Sequence, residues 1–166
     1  LAWKNGVSHV EADFHSTKSG KIVCVHMPKE FKQFYGCEKK IEELSAEDAQ
    51  NLKFSSDKWP EYKGAKIPLL EDVMRIIPKA GGVLVLEIKG MDENFLKLVD
   101  EERVKNGLPK SALIFIAFDF KHACAVKKFD KEYKSVWLYD INKVGIDGEY
   151  APEAVIKKVK DAGLDG

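Results

Sequence analysis

From residue 82 onward the chain repeats one pattern: a short apolar run, then a longer amphipathic one. Val83-Leu84-Val85-Leu86 is apolar at both parities, which predicts a strand covered on both faces. Residues 92–106 read as a helix, with Gly107 as its stop and Pro109 just beyond. Residues 113–118 form the next predicted strand, 121–129 a short helix and 135–139 another strand. Residues 152–162 close the series as a helix, with Pro152 suited to its first turn and Gly163 to its end. A helix over 68–77 precedes the series, with Leu70, Val73, Met74 and Ile77 on one side. Such alternation predicts a parallel sheet covered by helices. An open doubly wound sheet and a closed (β/α)8 barrel both satisfy it. No Gly-rich phosphate loop joins a strand to a helix, which argues against a nucleotide-binding doubly wound fold.

Upstream, residues 7–14 alternate apolar and polar, Ser19-Gly20 marks a turn, and 21–26 form a second strand rich in β-branched residues. Residues 28–59 are mixed and charged; Ser45-Ala46-Glu47-Asp48 within them is a helix start with a capping Ser. The 166 residues fit one domain. Lys plus Arg equals Asp plus Glu at 27 each, so bulk charge gives no support to a nucleic-acid or membrane-surface partner. No stretch approaches the ~20 apolar residues of a membrane span. Cys24, Cys37 and Cys124 are too scattered for a disulfide framework or a zinc site and read as free thiols. The compartment is not legible.

The chemistry-bearing residues gather at strand ends. Glu11 and Asp13 project to one side of their strand, because side chains alternate faces. Glu87 ends an apolar run, where a charge is costly unless paired or metal-bound. Three carboxylates from two strands make a poor core and a good seat for a hard cation, Mg²⁺ or Ca²⁺. The structural alternatives are a solvated edge strand for Glu11 and Asp13, and a plain ion pair between Glu87 and Lys89, which share a face. His26 closes the second strand; it suits proton transfer near neutral pH, though an isolated histidine is usually structural. Glu11, Asp13, His26, Glu87 and Lys89 all lie at the carboxyl ends of strands, where barrels and open parallel sheets place active sites. His9 and His15 share parity with the carboxylates. His9 is expected deeper in the interior and His15 just above them, both as bystanders. His122 has no partner that the sequence names.

The order of motifs resembles the glycerophosphodiester phosphodiesterases, among the phosphatidylinositol-phospholipase-C-like phosphodiesterase barrels. Gly6-Val7-Ser8-His9-Val10-Glu11-Ala12-Asp13 and Thr17-Lys18-Ser19-Gly20-Lys21-Ile22-Val23-Cys24-Val25-His26 match that family's Glu-x-Asp strand, Thr-Lys-Asp-Gly turn and His-ending strand. Ile67-Pro68-Leu69-Leu70-Glu71-Asp72-Val73-Met74 is similar to its Ile-Pro-Thr-Leu-Glu-Glu-Val-Leu segment. Leu86-Glu87-Ile88-Lys89 is similar to its Glu-Ile-Lys strand, and Ala117-Phe118-Asp119 sits where Ser-Phe-Asp is common. The resemblance implies a (β/α)8 barrel that hydrolyses glycerophosphodiesters, small-molecule substrates, to glycerol 3-phosphate and an alcohol. It implies Glu11, Asp13 and Glu87 as ligands of the divalent cation, His26 as one of two acid–base histidines, and Lys89 as a phosphate-binding residue. Attack on phosphorus by the substrate's own glycerol hydroxyl, then hydrolysis of the cyclic phosphate, is the chemistry implied.

Departures from that pattern shape further expectations. The family's His-Arg-Gly motif is nowhere in the chain, the aspartate after the catalytic His is Met27, and the turn aspartate is Ser19. The chain opens Leu1-Ala2-Trp3 without an initiator Met and closes on Gly163-Leu164-Asp165-Gly166, which reads like the start of another strand. Residues 1–166 are therefore expected to be an incomplete barrel, about strands two to six, lacking the first strand and the last strands, and an internal piece of a longer enzyme. A full barrel takes ~250 residues. Weak metal binding, little turnover and self-association through open barrel edges follow from that expectation. Two alternatives stand beside it: a phospholipase of the sphingomyelinase D type, and a degenerate barrel that binds a phosphorylated ligand without catalysis.

Overall fold

The computed structural model describes residues 2–26, 28–79, 81–140 and 152–166; Met27 lies outside them. One five-stranded sheet organises the chain. Its strands are β1 (His9–Ser16), β2 (Ile22–Cys24), β3 (Val83–Gly90), β4 (Leu113–Ala117) and β5 (Lys134–Trp137). The spatial order is β2-β1-β3-β4-β5. β1, β3, β4 and β5 run parallel, and β2 runs antiparallel to β1. The helices are α1 (Pro28–Tyr35), α2 (Ala46–Asn51), α3 (Leu70–Ile76), α4 (Phe95–Lys105), α5 (Phe120–Phe129) and α6 (Pro152–Asp161). From β3 to α6 strand and helix alternate as the sequence predicts, in the manner of a partial (β/α)8 barrel.

The helix boundaries differ from the sequence reading for local reasons. α4 starts at Phe95 rather than at 92 because the Asp92 carboxylate accepts the Asn94 N–H (3.0 Å), forming a turn first. α3 starts at Leu70 because the Pro68 carbonyl accepts the Cys24 N–H (2.9 Å) and Leu69 bridges Val23, extending the chain along β2. That segment covers the outer side of β2 at Val23 and Cys24, an edge the sequence reading leaves open. On the far side, the Asp165 N–H donates to the Ser135 carbonyl (2.9 Å) and the Trp137 N–H to the Gly166 carbonyl (2.8 Å). The closing residues thus lie along β5. Ser45 caps α2, its hydroxyl accepting the Asp48 N–H at 3.0 Å.

The main core lies between sheet and helices. Leu84, Leu86, Ile88, Leu113 and Phe115 from the strands meet Phe95, Val99 and Val126 from the helices, all essentially inaccessible. Burying each large side chain contributes roughly 1.5–3 kcal/mol before chain entropy is counted. A smaller cluster of Val23, Phe31, Ile41, Leu44, Ala49 and Ile67 packs the segment after β2 onto the sheet. It anchors Ile41, and with it the neighbouring Glu42, over the carboxyl end of β1.

Candidate active site

Parallel pairing of β1 with β3 sets Asp13 directly beside Glu87, and Glu11 beside Val85. Glu11, Asp13 and Glu87 each bring one carboxylate oxygen to within 4.8 Å of the other two. The alternation of strand side chains puts Glu11 and Asp13 on one face, and the register supplies Glu87. Burial grades across the set: Glu11 is exposed, Asp13 intermediate, and Glu87 7% accessible. Burial, reinforced by the neighbouring Asp13 and Glu87 charges, raises the Glu11 carboxyl above its ordinary pKa.

Lys89, two residues beyond Glu87 on the same face, reaches both inner carboxylates. Its Nζ lies 3.1 Å from Asp13 Oδ1 and 2.5 Å from Glu87 Oε1. The second contact is an ion pair rather than a well-angled hydrogen bond, and Glu87 Oε1 is otherwise buried without a donor. Burial alone would lower the Lys89 pKa, but the close contacts with the Glu87 and Asp13 carboxylates carry it above the usual lysine value. The ion pair that the sequence sets against a cation site is therefore present, together with the third carboxylate that a plain pair does not need.

His26 follows β2, the strand that runs antiparallel to β1. The Val25 N–H donates to the Asp13 carbonyl (3.0 Å), which brings His26 alongside the carboxylates, close enough for its charge to act on Glu11. His15 is buried, with Nδ1 3.3 Å from Glu42 Oε1, while its Nε2 is buried without a partner. Burial lowers its pKa, and Glu42 offsets part of that shift. His9 departs from expectation: it is exposed at the start of β1 and bonds Ser8. β2 pairs only with Phe14–Ser16, so it gives His9 no cover. His122 lies on α5 with Nδ1 buried and without a hydrogen-bond partner.

A cavity of about 570 Å³ opens beside the carboxylates. Lys89, His26 and His15 line one part of it; Glu42, Lys39, Lys40, Ile41 and Phe31 line the rest. Glu42 and the Lys39-Lys40 pair are contributions that the sequence reading did not find. Glu42 sits 27 residues from its partner His15, and no local pattern marks it.

The substituted motif positions have local work. Ser19 Oγ accepts the Ala46 N–H (2.9 Å) and lies 3.2 Å from Thr17 Oγ1, tying the turn before β2 to α2. Gly20 turns that hairpin at φ +73°, a left-handed conformation glycine adopts readily. Asp119 caps α5 through the Lys121 N–H, and Phe118 presents its ring 5.5 Å from Lys89 Nζ. Cys24 is partly buried behind the carboxylates; burial and then the Asp13 and Glu11 charges push its thiol up to about 12, so it stays protonated.

The set suits a hard divalent cation. All three donors are carboxylate oxygens, and bonds of about 2.0–2.6 Å can join oxygens spaced this way. The family model for glycerophosphoryl diester phosphodiesterases matches residues 1–160. The chain belongs to the glycerophosphoryl diester phosphodiesterase family. Solved structures share its fold. A protein from Galdieria sulphuraria is 19% identical with a TM-score of 0.76, the match covering 100% of this chain and 64% of that one. A phosphodiesterase from Oleispira antarctica, solved with the product sn-glycerol-3-phosphate, is 20% identical with a TM-score of 0.75 over 99% of this chain and 64% of that one. The glycerophosphodiester phosphodiesterase from Thermotoga maritima is 23% identical with a TM-score of 0.68 over 98% and 61%. The chain therefore spans less than two thirds of the length of each. No curated protein matches it. No helix among the described residues is long and apolar enough to cross a membrane.

Proposed function

We propose that the protein hydrolyses glycerophosphodiesters to glycerol 3-phosphate and an alcohol, with a divalent cation, Mg²⁺ or Ca²⁺, held by Glu11, Asp13 and Glu87. The observation that carries this reading is the closeness of the three carboxylates, with Lys89 and His26 beside them, in a chain of this family. The cation's chemistry would be to polarise a phosphoryl oxygen and acidify a bound hydroxyl. His26 moves a proton to or from the reacting oxygens. Lys89 offsets phosphate charge, and the cavity beside it receives one arm of the diester. Because no His-Arg-Gly motif occurs in the 166 residues, these residues alone are expected to bind the cation weakly and to turn over slowly. Self-association through open barrel edges is part of the same reading.

Release of glycerol 3-phosphate from glycerophosphocholine, with Mg²⁺ or Ca²⁺ and then with a chelator, is the direct test. Chelation should abolish the activity, and Glu87→Gln should lower it by roughly 10²-fold or more. Chelator-resistant hydrolysis, or a preference for sphingomyelin over glycerophosphocholine, would refute the assignment.

A further inference from the structure

Lys89 Nζ lies against the same carboxylates that the proposed cation takes. It touches Asp13 Oδ1 and Glu87 Oε1, its side chain is 14% exposed, and the same residue lines the cavity that His26 borders. Glu11, Asp13 and Glu87 carry three negative charges and Lys89 one positive, leaving a sum of −2. One divalent cation neutralises that sum. Yet an ammonium and a divalent cation repel strongly when both contact the same carboxylates in a partly buried setting. Lys89 has somewhere to go. Its long stem ends at the cavity, which Lys89 lines together with His15 and His26.

We propose that Lys89 is an exchangeable counter-ion: a divalent cation at Glu11, Asp13 and Glu87 displaces its ammonium from Asp13 and Glu87, and the released ammonium turns into the cavity to bind a phosphate. The inference rests on the cation reading above and adds an order to it. Cation binding creates the anion site, so cation and phosphate bind with positive coupling, and each strengthens the other by the same factor. Lys89 acts as a positioning residue for the cation step and touches the ligand only after exchange.

The protein itself, unmodified, supplies the first test. Competitive acetylation read by mass spectrometry should show Lys89 reacting slowly without a divalent cation and severalfold faster at saturating Mg²⁺, with exposed lysines such as Lys63 unchanged. Calorimetry supplies the second. Lys89→Gln should bind Mg²⁺ roughly tenfold more tightly, while the gain in inorganic phosphate affinity that Mg²⁺ confers on the wild type shrinks by a similar factor. One substitution thus moves two affinities in opposite directions, which a purely structural lysine would not do. Mg²⁺ binding with Lys89 reactivity unchanged overturns the exchange and leaves the cation site standing. Unchanged or weaker Mg²⁺ binding by Lys89→Gln does the same. Absence of Mg²⁺ and Ca²⁺ binding by both wild type and Lys89→Gln overturns the cation site and the exchange together.

Discussion

Asp13 on β1 and Glu87 on β3 are register partners in parallel strands, and a single ammonium, that of Lys89, holds both. Two carboxylates pressed together on neighbouring, partly buried strands would repel and pay desolvation without that cation. Glu87→Gln should therefore destabilise the cation-free protein by about 1–3 kcal/mol, since Lys89 keeps Asp13 as its remaining partner. It should also erase the rise in melting temperature that Mg²⁺ or Ca²⁺ brings to the wild type. Thermal unfolding with and without chelator reads both effects.

Glu11 behaves in the opposite sense. Its folded pKa is raised above 4.5 by burial and by Asp13 and Glu87, so folding favours the protonated form. That stabilisation is fully present below pH 4.5 and is lost as pH rises through the folded value. Without a divalent cation at pH 7, Glu11→Gln should be the more stable protein, by only ~0.5 kcal/mol because water screens an exposed group. The gap should close near pH 4. Adding Mg²⁺ or Ca²⁺ should reverse the order at pH 7, as read by denaturant titration.

Gly90, the register partner of His15, leaves room for the His15–Glu42 contact. A Cβ at position 90 would fall 2.8 Å from Glu42 Oε1 and 3.4 Å from His15 Nδ1. Glu42 is a half-exposed, flexible side chain and can retreat, so Gly90→Ala should cost less than about 1 kcal/mol. The His15 ring should lose its fixed hydrogen bond, visible as a change in its imidazole nitrogen chemical shifts. A large loss of stability with those shifts unchanged would refute this account.

Tyr133 tests the opposite end of the sheet. It is almost wholly buried, its ring packs edge-on against Phe115 at 5.1 Å, and its hydroxyl bonds Asp100 while Arg103 Nε donates to it at 2.7 Å. Tyr133→Phe keeps the ring and removes the hydroxyl, leaving the Asp100–Arg103 pair in place. A loss of about 1–2 kcal/mol is expected, with cation affinity unchanged, because the site lies at the other end of the strands.

Much of this molecule was legible in one dimension. The alternation from Val83 to Asp161, the Ser45 cap, and the shared face of Glu11 and Asp13 follow from periodicities of 2 and 3.6 and from capping chemistry, all of which act within a few residues. The candidate site was legible as far as its residue types; Glu11, Asp13 and Glu87 lie within β1 and β3 rather than at their ends, because pairing runs on to His15 and Gly90. Family membership extends the reading, because the motifs keep their order along residues 1–160.

Other features needed the chain to come together. The antiparallel sense of β2, which decides the direction from which His26 approaches, depends on pairing across the hairpin. The exposure of His9 depends on where β2 stops pairing, and the Glu42 contact to His15 depends on a second core cluster that seats Ile41. The sequence offers Glu87 two partners, an ammonium or a cation; register places Asp13 beside it and Lys89 across both. By itself the sequence determined which residues carry charge and which face of each strand they share, since those properties are local. Only the tertiary structure decided which charges meet, because Coulomb contact requires separations of a few ångströms between groups 74 residues apart in the chain, and strand register alone sets those separations.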